Sequence, residues 1–412
     1  MSSKRRYTFN LFLLAIAILW PMLQVIYFSG LDGYGRINIV ITLMAIVVNG
    51  KHLFQTPKNI HIWLLWIIYC IINAQFKGFS HESSSFAIWA HHHLLYPYVI
   101  MLVTYQVVSF DMKKSVQVLF GVYFIYTVVG AINMESIDSY DVGKRMGNEL
   151  GNAYFNTIIL LMSFAAFLYV TNRVKLFVVL TIAACLSYIL ILSGERKGLI
   201  ALFIIFIGSY MAVTGGKGFR SIISYVFLAI FAYFAIDLLM ENTTFGARMA
   251  NSIQNTDFKG NRFLTLVGDR AIQYDEGWSF FLQNPLTGIG IRNYAKFNTY
   301  WEGGGGVLHT EYMVQLTECG IVGSILFLIF YYGMIKRLFN PVRKKEDSAM
   351  IIILRANLIA IIVINLVAWT YDNPNFFMLF GIIYALCEKE KVLQTNNKLV
   401  NIHNYENSCS GK

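Results

Sequence analysis

The chain has 412 residues, of which 56% are apolar, 16% aromatic and only 14% charged, with a formal net charge of +10. A soluble domain carries about 25% charged residues, so this composition excludes an ordinary soluble protein and points to a membrane protein. The positive charge collects beside apolar runs and is no nucleic-acid signature, and Cys70, Cys185, Cys319, Cys387 and Cys409 show no paired spacing that would make a disulfide framework or a zinc site.

Lys4, Arg5 and Arg6 precede the first apolar run, and no small-residue cleavage site follows, so this run reads as an uncleaved first span. A spanning helix needs roughly 20 mostly apolar residues. Such runs fall at 9–29, 37–54, 60–76, 92–110, 115–133, 153–171, 174–193, 198–214, 220–240, 319–338, 350–370 and 374–388. Segments of this length satisfy their own backbone in lipid only as helices. The expected fold class is therefore an all-α polytopic membrane protein of about twelve transmembrane helices.

Lys and Arg in short loops mark the cytoplasmic side. With the N-terminus inside, the inner loops hold Lys51, Lys58, Lys113, Lys114, Lys336 and Arg337, while the short outer loops hold few cations, such as Arg36 and Lys77. Both termini are then expected in the cytoplasm. The expected division is 1–240 with the first nine spans, a long outer segment at 241–318, 319–388 with the last three, and a polar tail at 389–412.

His91, His92 and His93 cannot share one metal on a helix, because neighbouring side chains point about 100° apart. A headgroup-level belt with Trp89, Tyr96 and Tyr98 is expected instead. Arg196 and Lys197 break the charge rule by sitting on the outer side, in the turn Ser193-Gly194-Glu195-Arg196-Lys197-Gly198. They are either snorkelling cations or an anion site near a helix start.

The long outer segment is the functional candidate, since such loops in compact proteins are usually functional or disordered. Within it, Ala271, Tyr274, Trp278, Phe281 and Leu282 recur at helical spacing and predict an interfacial helix over 270–283, ended by Asn284-Pro285. Gly303 to Gly306 suit a mobile segment. His309, ahead of an apolar helix, is either a capping residue or a group for proton transfer near neutral pH. Glu311 and Glu318 would tune it or sit at the water boundary. The outer segments hold no dense carboxylate cluster for magnesium.

Three stretches, in order, resemble the O-antigen ligase and O-antigen polymerase superfamily of bacterial membrane glycosyltransferases. Ser193 to Gly198 is similar to the family's SG-x-R-x-G turn. Arg270 followed by Asn284-Pro285-Leu286-Thr287-Gly288-Ile289-Gly290 is similar to its R…P-L-x-G-x-G segment. His309-Thr310-Glu311-Tyr312, ending in Glu318-Cys319-Gly320-Ile321-Val322-Gly323, is similar to its last motif. Glu195 and Thr310 depart from that pattern.

The resemblance implies a GT-C-like bundle in the bacterial inner membrane, with 241–318 as a periplasmic catalytic loop. It implies transfer of a glycan from undecaprenyl diphosphate to an acceptor hydroxyl, inverting and without metal or other cofactor. Polymerisation of repeat units is the expected reaction. The alternatives are ligation of the finished glycan to lipid A–core or another acceptor, a lipid-linked glycan transporter or flippase, and a structural membrane protein without catalysis. Partners would be the lipid-linked donor, a glycan or lipid A–core acceptor, membrane lipid and a chain-length regulator. Arg196 and Arg270 would face the diphosphate, where fixed cations stabilise the charge that grows on the leaving group. Arg262, Arg292 and Lys197 would add contacts. His309 would be the base, with Glu318 as its partner.

Overall fold

In the computed structural model the described residues are 2–27, 34–79, 85–134, 160–171, 173–193, 196–214, 270–297, 308–339, 348–366, 368 and 370–388. They form α1 (Ser3–Tyr27), α2 (Tyr34–Asn49), α3 (His61–Lys77), α4 (Phe86–Phe110), α5 (Met112–Met134), α6 (Leu160–Val170), α7 (Leu176–Ser193), α8 (Arg196–Thr214), α9 (Arg270–Gln283), α10 (Glu311–Leu338), α11 (Ser348–Ile364) and α12 (Pro374–Glu388).

The protein is a helical membrane protein. Four segments are long and apolar enough to cross a bilayer: Ile37–Phe54, Lys58–Lys77, Phe86–Phe110 and Glu311–Leu338. The other expected spans each coincide with a helix except 220–240, which lies outside the described residues. The helix expected at 319–338 begins earlier, at Glu311, so the last part of the expected outer segment is already helical.

Burial ranks the helices. Of the α4 stretch 72% is buried, against 33% for the stretch containing α2, so α4 runs through the interior. α12 is short, yet Phe376, Phe377, Phe380, Ile382, Ile383 and Tyr384 are all buried. The two touch closely at Gly381, where an added Cβ would lie 2.6 Å from the Met101 carbonyl oxygen. An aromatic cluster ties α3 to α10 and α12. Trp63 and Trp66 stack at 4.5 Å, and Trp63 meets Phe330 and Phe377 at 4.9 Å each. Polar pairs add register inside the bundle: Asn10 and Asn49 exchange amide hydrogen bonds of 2.8 and 2.9 Å between α1 and α2.

Two ends can be told apart. At one, Arg337 pairs with Glu388 at 3.1 Å and lies over the Tyr384 ring, and Arg355 donates to the Leu338 carbonyl. The other gathers the C-terminus of α3, the start of α4, α9, the 284–297 segment, the start of α10 and the 370–373 turn.

α8 packs along α11 through small residues, the usual way for membrane helices to approach closely. A Cβ on Gly208 would lie 2.2 Å from the Ala356 Cβ. Gly208→Ala is expected to lower the thermal unfolding midpoint in detergent, at an overpacking cost of about 1–3 kcal/mol. Adding Ala356→Gly should recover part of the loss, and two losses that simply add would contradict this contact.

Candidate functional site

The site is built around a break in α10. Gly320 stands at φ 64, ψ −168, a conformation almost confined to glycine. The break strips helical partners from backbone groups on both sides, and the segment 285–290 supplies replacements. The Ile289 and Gly290 N–H groups donate to the Thr317 and Glu318 carbonyls, at 2.9 Å each. The Ile321 and Val322 N–H groups donate to the Pro285 and Leu286 carbonyls, at 2.8 and 3.2 Å. The approach leaves no room for side chains: a Cβ on Gly320 would lie 2.5 Å from the Gly288 nitrogen, and one on Gly288 would lie 2.5 Å from the Glu318 carbonyl. α3 closes the joint, where the Tyr69 hydroxyl donates to the Cys319 carbonyl at 2.6 Å and the Asn73 amide to the Thr287 carbonyl at 2.8 Å. Lys77, one turn further on, donates to the Asn284 side chain at 3.0 Å.

Two carboxylates seven positions apart on α10, hence on one helical face, then fix two loops. Glu318 is buried and accepts the backbone N–H groups of Arg292, at 2.8 Å, and Tyr294, at 3.3 Å. Glu311 is buried and accepts the N–H groups of Thr370 and Tyr371, and its other oxygen accepts the Gln315 amide at 2.8 Å. Gln315 in turn accepts the Trp66 indole N–H at 2.9 Å. Glu311 therefore holds a buried turn and does not sit at a water boundary.

The 292 and 370–372 turns meet. Arg292 has φ 63, unusual for a residue with a side chain, and the Glu318 bond holds it there. Burial disfavours its charge, but Tyr371, Glu318 and Asp372 around it hold the guanidinium above the ordinary arginine value. Burial also pushes Asp372 up, but its His93 hydrogen bond and the charges of His93 and Arg292 outweigh this and keep it below the usual carboxylate value.

α9 covers this end over the predicted range. Its buried stripe is Gln273, Gly277 and Phe281, while Trp278 and Leu282 of the expected apolar face are exposed. Gln273 accepts the His309 backbone N–H at 3.2 Å, and the Thr317 hydroxyl donates to the Gly277 carbonyl at 2.9 Å. The flanks are tied by Tyr294, donating to Glu276 at 2.6 Å, and by Tyr274, donating to the Leu366 carbonyl at 2.7 Å.

Of the residues singled out from sequence, Arg292 and Glu318 meet directly, and His309 joins them through α9. Arg270 opens α9, and its side chain lies outside the described set. Arg196 and Lys197 open α8, and their side chains lie outside the described set; so does Arg262 altogether. Sequence reasoning missed Gln273, Tyr371, Asp372 and His93. Asp372 left a readable signal, as a carboxylate in a turn between two apolar runs on the side assigned to His309. The three histidines do not form a belt with Trp89, Tyr96 and Tyr98, which are buried. His91 meets Thr42, His92 meets Asn38 and His93 meets Asp372.

Residues 181–328 match the O-antigen ligase family model, which supports membership of the O-antigen ligase and polymerase superfamily. The match includes α8, α9, the Gly320 break, His309, Arg292 and Glu318. No curated protein matches the chain.

Gly320→Ala is expected to lower the unfolding midpoint in detergent, by at least the roughly 1–2 kcal/mol of a left-handed side-chain residue. Glu318→Leu leaves two N–H groups without their acceptor, at about 1–3 kcal/mol each. Glu318→Gln, which keeps an acceptor oxygen, should fall between Glu318→Leu and the unmodified protein. Equal stability of all three would contradict the assigned bonds.

Proposed function

We propose that the protein transfers a glycan from undecaprenyl diphosphate to an acceptor hydroxyl at the outer face of the inner membrane, and so polymerises polysaccharide repeat units. The observation that carries this reading is the seating of α9. That helix holds the His309 backbone through Gln273, at the end of the bundle where Arg292 lies.

The chemistry follows from charge. The acceptor oxygen attacks the anomeric carbon, the bond from that carbon to the diphosphate oxygen breaks, and the carbon inverts. The acceptor proton passes to His309, whose ordinary pKa suits proton transfer near neutral pH. The leaving diphosphate gains charge as the bond breaks, and fixed cations aimed at it lower the barrier. Arg196 and Arg270 fill that role, with Arg262, Arg292 and Lys197 as further contacts. Arginine suits it by its permanent charge and planar fork. No step calls for a metal. Glu318 holds the turn that carries Arg292.

The Ser193 to Gly198 turn favours the polymerase, whereas the ligase description of the matching family model favours transfer of a finished glycan to lipid A–core or another anchor. A flippase finds less support. Broken helices in transporters point their freed ends at substrate and ions, but the break at Gly320 is closed by the backbone of 285–290.

Deleting the gene in the native host, then running surface glycans beside the lipid-linked pool, separates these readings. Anchors bearing a single repeat unit without a ladder are expected for the polymerase. Bare anchors with long polymer left on the lipid carrier would mean ligase. Substrate stranded on the inner leaflet would mean flippase, and an unchanged profile would remove the proposal. In complemented cells Arg196→Ala, Arg270→Ala and His309→Ala should each abolish the ladder at normal protein levels.

A further inference from the structure

Cys70 on α3 and Cys319 on α10 are buried free thiols whose sulfurs lie 3.9 Å apart, across 249 positions of sequence. Cys319 stands directly before Gly320, at the break that organises the candidate site. So wide a separation along the chain leaves no spacing signal, and the fold alone brings the two together.

The contact is held in register from both sides. One turn before Cys70, the Trp66 indole N–H donates to Gln315 at 2.9 Å. Beside it, the Tyr69 hydroxyl donates to the Cys319 carbonyl at 2.6 Å. Three residues after it, the Asn73 amide donates to the Thr287 carbonyl at 2.8 Å and to the Glu318 carbonyl at 3.4 Å. Gly323 lets α3 come close, since a Cβ there would lie 2.8 Å from the Tyr69 ring. The two sulfurs are therefore fixed neighbours. A disulfide needs about 2.05 Å between them, a displacement of roughly 1 Å each that side-chain rotation can supply. Burial shields both thiols from bulky reagents and slows their reaction, so a small oxidant is the kind that reaches them.

We propose that Cys70 and Cys319 are a site of reversible oxidative modification, where a peroxide closes a disulfide that staples α3 to α10 beside the Gly320 break. The peroxide oxidises one thiol to a sulfenic acid and releases one water. The other thiol attacks that sulfur, forms the S–S bond and releases a second water. Two thiols thus lose two hydrogens and two electrons, and one peroxide becomes two waters. A dithiol reductant reopens the bond by exchange. This chemistry is independent of the proposed glycosyl transfer.

The test is treatment of the full-length protein in nanodiscs with hydrogen peroxide, then unfolding, alkylation of the remaining thiols, digestion and mass spectrometry without reductant. A cross-linked peptide pair carrying Cys70 and Cys319 is expected, lighter by two hydrogens than the two free peptides together, and dithiothreitol should remove it. The oxidised protein should also unfold at a higher temperature than the reduced one, because the link closes a loop of 249 positions in the unfolded chain. Cys70→Ala and Cys319→Ala should each lose the cross-link and the rise that peroxide produces. Recovery of both thiols in alkylated form, oxidation of either to a sulfinic acid in place of the link, or a link to Cys185, Cys387 or Cys409 instead would overturn the inference. So would a linked protein that unfolds no later than the reduced one, since the bond would then strain the joint instead of stapling it.

Discussion

Two carboxylates on one face of α10 organise the candidate site. Glu318 takes the backbone N–H groups of the 292–294 turn, and Glu311 takes those of the 370–371 turn. A buried carboxylate without partners is strongly disfavoured, so each must find donors, and the donors it finds belong to chain segments far away in sequence. Peptide N–H groups are suited to this because their position fixes the backbone itself. Arg292, Tyr371 and Asp372 are therefore placed by the main chain, and their side chains are left for mutual contacts. This is how the C-terminal part of the bundle is joined to the segment matched by the family model.

The Gly320 break belongs to the same construction. A helix interrupted within an apolar segment must satisfy its freed backbone groups from inside the protein, because lipid offers no hydrogen bonds. Here the segment 285–290 does so on both sides of the break. The same four bonds anchor the end of α9, since Asn284 and Pro285 follow it directly. α9 is then held at its middle by Thr317 and at its start by the Gln273 bond to His309. The exposed Trp278 and Leu282 lie on the opposite side of α9 from this contact, as suits a helix lying at a membrane surface. One joint in α10 thus sets the position of His309, of α9 and of Arg292.

Much of this was legible in the sequence. The membrane class followed from scarce charge, and α9 from helical spacing closed by Asn284-Pro285. The motifs at 284–290 and 318–323 were both visible, but their pairing was not, because it runs through backbone atoms. Gly288, Gly290 and Gly320, all at positive φ, carry a trace of it. Periodicity put Trp278 and Leu282 at the membrane interface, and both are exposed. It did not show that the contact with α10 needs a small residue, Gly277, against Thr317 and Met313. His93 was read as part of a headgroup belt because its partner, Asp372, lies far along the chain. Glu311 was read either as tuning His309 or as a residue at the water boundary, since nothing local in the sequence announces that two distant N–H groups will surround it.

Backbone hydrogen exchange of the full-length protein in detergent, followed at Ile289, Gly290, Arg292, Tyr294, Thr370 and Tyr371, tests the central claim most directly. Groups closed against buried acceptors exchange only through opening of the structure. The account predicts slow exchange at all six, with Glu318→Leu releasing Arg292 and Tyr294 first and Glu311→Leu releasing Thr370 and Tyr371 first. Fast exchange at these positions in the unmodified protein, or no change on losing either carboxylate, would show that the two glutamates do not assemble the site.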